Sequence, residues 1–196
     1  NTTGGGNTAV GGSGTLDNNT TGANNVALGN NALDANTTAS DNTALGAGAM
    51  YATTTGCENV AVGRRALFTN VSGDNNVAVG FCALKVSLAD DNTAVGFNSL
   101  KLNTSGTRNT AIGKDSSDAN TEGNDNTAVG RTSLSSNTTG DNHVAIGVGA
   151  LQSNTTANDN TAVGYTALIN NTTGSVNAGF GGYALKDNTT GASNVA

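Results

Sequence analysis

Few side chains in this chain of 196 residues could do chemistry, and their placement argues against most reactions. His143 is the sole histidine, and it stands where neighbouring units of the sequence carry Asn, so a structural hydrogen-bonding role is expected for it. Ser and Asp are plentiful but fall at turn positions, with no base placed to activate a nucleophile. Cys57 and Cys82 occupy different sequence contexts; free, buried thiols are expected, with a disulfide the lesser alternative. Two cysteines and one histidine do not make a metal site. Asp41 and Glu58 sit in equivalent places of successive units and could share a cation, although solvated carboxylates are the simpler reading. The Gly-Gly-x-Gly-x-Asp spacing of calcium rolls is missing, and Gly179–Gly182 lacks the Lys of a phosphate loop. Asn36, Asn137 and Asn154 each begin an Asn-x-Thr triplet that matches the glycosylation acceptor pattern. Their recurrence at corners points first to turn geometry. No enzyme, no cofactor and no metal centre is expected.

What must position these residues is a repeat. Asp159–Leu168, DNTAVGYTAL, recurs along nearly the whole chain. The Gly closing each TAVG-like unit falls at 11, 29, 46, 63, 80, 96, 113, 130, 147, 164 and 181, a spacing of 17 residues broken only by one 18 and one 16. A short steady period marks a solenoid in which each repeat is one coil. Seventeen residues suit two or three short strands with turns. The predicted class is therefore all-β: a parallel β-solenoid, one array over residues 1–196 of about twelve coils, a rod on the order of 55 Å long. The array is expected to be a piece of a longer fibrous protein.

Columns of the repeat carry further expectations. Counting from the closing Gly, position −4 is Asn in every unit except at His143, and a side-chain amide ladder is predicted there. Positions −3 and −1 are apolar or Thr and share one strand face, taken to be the core side. Position −2 holds Ala27, Ala44, Ala61, Ala78, Ala94, Ala111, Ala128, Ala145 and Ala162, with Gly179 the sole departure. So small a column on the opposite face predicts close approach by another copy of the chain, and it is read as the subunit interface. Position +4 is usually Leu; Ser117 breaks that column and predicts a weak place in the core. Position +1 reads Arg64, Phe81, Phe97, Lys114, Arg131, Val148, Tyr165, and its cations beside aromatics make it the candidate surface contact stripe. Position −5 reads Asp91, Arg108, Asp125, an alternating charge ladder.

The net charge of −6 disfavours nucleic acid and anionic membranes as partners. No apolar run reaches the length of a membrane span. Charged residues are 11% and aromatics 4% of the chain, a composition that without the period would read as disorder.

Asn76–Gly80, NVAVG, and Asn142–Gly147, NHVAIG, resemble the head repeats of trimeric autotransporter adhesins, and the likeness runs through nearly the whole chain. The resemblance implies a left-handed parallel β-roll, three chains packed side by side, and binding to host or matrix surfaces. The present repeat is longer, carries Leu where that family has a small polar residue, and turns on Asn-Thr-Thr-Gly corners. Phage tail fibres and secreted bacterial filaments carry similar repeats. The expected function is a structural and adhesive segment of an extracellular fibre, partnered with copies of itself and with a host, prey or matrix surface. A viral tail-fibre shaft is the alternative. An ice-binding solenoid, suggested by the Thr-rich corners, is a lesser one.

Overall fold

A computed structural model describes residues 2–196. Eleven three-residue strands, from β1 (Thr8–Val10) to β11 (Ala178–Phe180), form one parallel sheet in strict chain order, and no helix interrupts it. Each coil contributes one strand, where the period alone suggested two or three; the rest of the coil is turns. Pairing is in register throughout, so equivalent residues stack: Val60 on Val77, Ala61 on Ala78, Val62 on Val79. The 16-residue coil keeps this register, pairing β5 (Val77–Val79) with β6 (Thr93–Val95) through Val77 and Thr93. Its missing residue is taken from the corner, not from the strand.

Local chemistry explains why a coil closes in seventeen residues. The closing Gly has φ near 135°, as at Gly46 (136°), a conformation open essentially to Gly alone. A Cβ on Gly46 would also lie 2.7 Å from the carbonyl carbon and oxygen of Gly63 in the next coil. Both backbone angle and coil spacing therefore exclude any side chain there. Three further positions per coil are left-handed: one before the Asn column, as at Asp41 (φ 59°), one two residues after the Gly, as at Asn31 (φ 57°), and the Leu column itself, as at Leu33 (φ 51°). Asn, Asp and Gly dominate the first because they tolerate this region; at the second they alternate with Arg65, Cys82, Thr132, Thr166 and Tyr183. Leu does not favour it, at a cost of roughly 1–2 kcal/mol. Complete burial of the side chain, worth about 1.5–3 kcal/mol, offsets that cost, and Leu33, Leu67, Leu84, Leu100, Leu134, Leu151 and Leu168 are all fully enclosed.

The core faces the other way from the sequence-based expectation. Ala27, Ala44, Ala61, Ala78, Ala94, Ala111, Ala128, Ala145 and Ala162 are 0% exposed within a single chain, and Gly179 is buried with them. They form the inner wall, not a subunit interface. The reason is the narrow interior: a Cβ added at Gly179 would meet Ala184 Cβ at 3.4 Å and Leu168 Cδ1 at 3.6 Å. The Leu column and the small residue before it occupy the space in front of the strand, so only a methyl group fits. The alternation of faces was correct; the assignment of inside and outside was reversed. Positions −3 and −1 point out, with Val10, Val26, Leu28, Ile112, Ile146 and Phe180 among the exposed large apolar side chains.

Two buried amide ladders close the remaining sides of the coil. In the Asn column, the Asn59 backbone N–H donates to Asn42 Oδ1 (3.0 Å), while Asn59 Nδ2 donates to the Gly73 carbonyl (2.8 Å). At the Asn-Thr-Thr-Gly corner, Asn120 donates to Asn103 Oδ1 (2.8 Å) and Asn137 to Asn120 Oδ1 (2.9 Å). Each amide thus satisfies backbone groups that a coil this thin cannot pair with water. Where Thr53 replaces Asn in the corner ladder, its hydroxyl donates onward to the Asn70 carbonyl (2.8 Å), and Asn36 Oδ1 is left without a partner.

Ser117 is the weak place expected of it. It lies 2% exposed in the Leu column with its hydroxyl unpaired. One apolar cluster ends at Ala111 and a second begins at Ala128, so the core is divided at this coil.

Candidate functional site

Two surfaces emerge, built from columns that a coil repeats every turn. The first is the outer face of the sheet. Its two rows are Thr8, Val26, Thr43, Val60, Val77, Thr93, Thr110, Thr127, Val144, Thr161 and Ala178, beside Val10, Leu28, Leu45, Val62, Val79, Val95, Ile112, Val129, Ile146, Val163 and Phe180. No charged residue occurs in either row. In-register pairing makes the face continuous along eleven strands. Extended apolar patches of this kind mark sites of association.

The second is the lateral stripe directly after the closing Gly. The structure brings four of its six candidate residues into one stack. Arg64 lies over the Phe81 ring at 5.7 Å, Phe81 stacks on Phe97 with centroids 5.3 Å apart and planes 11° from parallel, and Lys114 caps Phe97 at 5.8 Å. Parallel strand stacking enforces this: identical columns in successive coils sit one strand spacing apart, within stacking distance for aromatic rings. Arg131 is exposed beyond this stack. Tyr165 turns to Tyr183 of the next coil, edge to face at 5.4 Å, and does not join it. A second stack went unanticipated. Tyr51 and Phe68 lie parallel at 5.1 Å, and Arg65 sits over Phe68 at 5.5 Å. The two rings occupy position +5 of successive coils, a signal readable from the repeat had that column been compared.

His143 takes the place of Asn in the buried ladder and reproduces its hydrogen bonds. Its Nδ1 accepts from the Asn160 N–H at 3.2 Å, as an Asn Oδ1 does, and Nε2–H donates to the Ala157 carbonyl at 2.6 Å, as an Asn Nδ2 does. Burial holds its pKa below the ordinary imidazole value, with backbone hydrogen bonds and the Asp159 and Asp141 carboxylates opposing. Such a ring is engaged on both nitrogens and offers nothing to a substrate.

The other candidates resolve as follows. Cys57 is partly exposed and Cys82 buried, both as free thiols. Asp41 accepts from Asn24 Nδ2 at 3.1 Å, and no group of three or more metal-binding side chains occurs among the described residues. Asn36, Asn137 and Asn154 are fully buried in the corner ladder, where a glycan would have to displace the amide. Arg108 and Asp125 form a two-pronged ion pair at 2.7 and 2.8 Å, which raises the arginine pKa and lowers that of the carboxylate. Asp91 acts on Arg108 only through its charge. The first threonine of each corner spends its hydroxyl on the neighbouring coil, as Thr20 does on the Thr37 carbonyl (2.8 Å) and Thr104 on the Thr121 carbonyl (2.9 Å). The second, as at Thr38, Thr55, Thr139 and Thr156, is exposed. No helix among the described residues is long and apolar enough to cross a membrane. No protein-family model, curated protein or solved structure matches this chain.

Proposed function

We infer that this chain is a structural and adhesive segment of an extracellular fibre, assembled from copies of itself through the outer face of its sheet. The observation that carries the reading is that face: two rows, chiefly Val, Leu, Ile and Thr, without a charge and half-buried to exposed in a single chain. In-register repetition favours the match of one rod to the next, since coil after coil offers a similar profile. Three rods side by side, as the resemblance to autotransporter heads implies, would enclose this face and leave the lateral stacks outward for contact with a host, prey or matrix surface. The extracellular setting rests on the same resemblance. The assembly surface replaces the alanine column, which the fold has already filled. No catalytic role is assigned: the one imidazole is enclosed and engaged on both nitrogens.

The test is the oligomeric state in solution. By multi-angle light scattering the chain is expected to form a homo-oligomer, and the double variant Val79→Lys, Val95→Lys to be monomeric with an unchanged β-rich circular dichroism spectrum. A wild-type chain that stays monomeric up to its solubility limit would overturn the assembly. So would a double variant that folds and assembles like the wild type.

A further inference from the structure

We propose that the recess beside Tyr51 and Phe68 binds a single carboxylate-bearing sugar residue, of the uronic acid class. The recess is a shallow one, open to solvent, with a volume of about 200 Å³, smaller than a typical drug-sized site and suited to one ring rather than to a chain. It exists because one coil carries Ala47 and Gly48 where its neighbours carry Asn30 and Asn31 on one side and Arg64 and Arg65 on the other. The small pair is the floor, and the larger pairs are the walls. Tyr51 and Phe68 form a continuous aromatic flank, stacked within 10° of parallel. An aromatic flank with a few polar and charged groups converging on one recess is the usual make-up of a small-ligand site.

Charge selects the class of sugar. Arg64 and Arg65 are both exposed, and neither guanidinium has a carboxylate within ion-pair range among the described residues. Each instead lies over an aromatic ring, Phe81 and Phe68 respectively, at 5.7 and 5.5 Å from the centroid. In a chain of net charge −6, two adjacent unpaired guanidiniums are an exception. Their donor forks match a carboxylate bidentately. At the opposite wall, Asn31 Nδ2 is held at 3.3 Å from Asp34 Oδ2, so that end favours hydroxyl groups and repels a second anion. The recess is therefore polar end to end: carboxylate at the arginines, hydroxyls at the amides, ring face toward the aromatics.

The inference deepens the adhesive half of the proposed function and is independent of assembly through the sheet face. It is tested on the whole chain by following backbone amide resonances during titration with digalacturonate, with neutral digalactose as the control. Saturable shifts at Ala47 and Gly48 are expected with digalacturonate, with a Kd of about 1 mM, and binding of the neutral sugar at least about tenfold weaker. Arg65→Gln should weaken binding about tenfold. Gly48→Asn should abolish it by filling the floor. That backbone position is Asn at 31 with nearly the same φ (57° against 66°), and an added Cβ meets only side chains, the Phe68 ring at 3.3 and 3.4 Å and Arg65 Cγ at 3.8 Å, with no backbone atom in the way, so the coil survives the change. Equal binding of both sugars, no saturable shift, or full binding by folded Gly48→Asn would each overturn the proposal. Light scattering on the same samples reports assembly separately, so a failure here is distinct from a failure there.

Discussion

His143 shows how a single position in a ladder constrains chemistry. A neutral ring with the proton on Nε2 copies an amide atom for atom; a charged ring does not, because Nδ1 would carry a proton toward the Asn160 N–H that now donates to it. Burial lowers the folded-state pKa, so between the folded value and the ordinary value of about 6.5 the unfolded chain binds more protons than the native one. Stability contributed by neutral His143 is thus fully present above that ordinary value and is lost as pH falls below it. His143→Asn restores the column residue and should abolish this part of the acid sensitivity. Thermal unfolding followed from pH 8 down to about pH 5 should show the two chains converging at the alkaline end and the variant more stable at the acid end. Parallel curves would mean that the imidazole titrates alike in both states. The ladder role was legible from the column alone. The left-handed backbone at Leu33 and its equivalents was not, because nothing about Leu signals it; burial, a tertiary effect, overrides the local preference.

At the scale of one coil, the sequence spoke clearly about size and misleadingly about side. A column limited to Ala and Gly says that something approaches closely, and it does. For Gly179 the neighbours are Ala184 of its own coil and Leu168 of the coil before, where another subunit had been expected. Alternation along three residues cannot tell which face is inside; that is decided by where the turn residues fold back, and position +4 delivers Leu behind the strand. The reversal changes what Ala128→Leu should do. At a subunit interface it would dissociate the assembly and leave folded chains. In a filled interior it overpacks the coil, at a cost of about 1–3 kcal/mol or more. The expected outcome is a lowered unfolding midpoint in urea, for assembled and monomeric protein alike, with Val79→Lys, Val95→Lys supplying the monomer background. An Ala128→Leu chain that keeps its midpoint and merely dissociates would return the alanines to the interface.

Over the whole rod, each coil touches only its two neighbours, so stability is close to a sum of coil and interface terms. The sum is uneven. The coil containing Ser117 supplies no large apolar side chain to the column, leaves a buried hydroxyl unpaired and divides the core between Ala111 and Ala128. Residues 109–125 span one period. Deleting them joins Arg108 to Asn126 and keeps the 17-residue spacing from Gly96 to the next closing Gly. It stacks Leu100 on Leu134 and Ala94 on Ala128, making one core of two. Ser99 and Ser133 already accompany Leu in their own coils, so no new misfit arises. What is lost lies at or near the surface: the exposed Arg108–Asp125 pair, the half-buried Asn98–Asp115 contact and the Lys114 cap on Phe97. The shortened rod should therefore match or exceed the parent in melting temperature, although a solenoid ordinarily weakens as coils are removed. Deleting residues 59–75, also one period, takes out Leu67 and the Phe68 stack and should lower it. Calorimetry on the two deletions separates the explanations. If both melt lower by the same amount, coil number governs and the Ser117 coil is no weaker than its neighbours; if only the second does, the division of the core limits the stability of the rod.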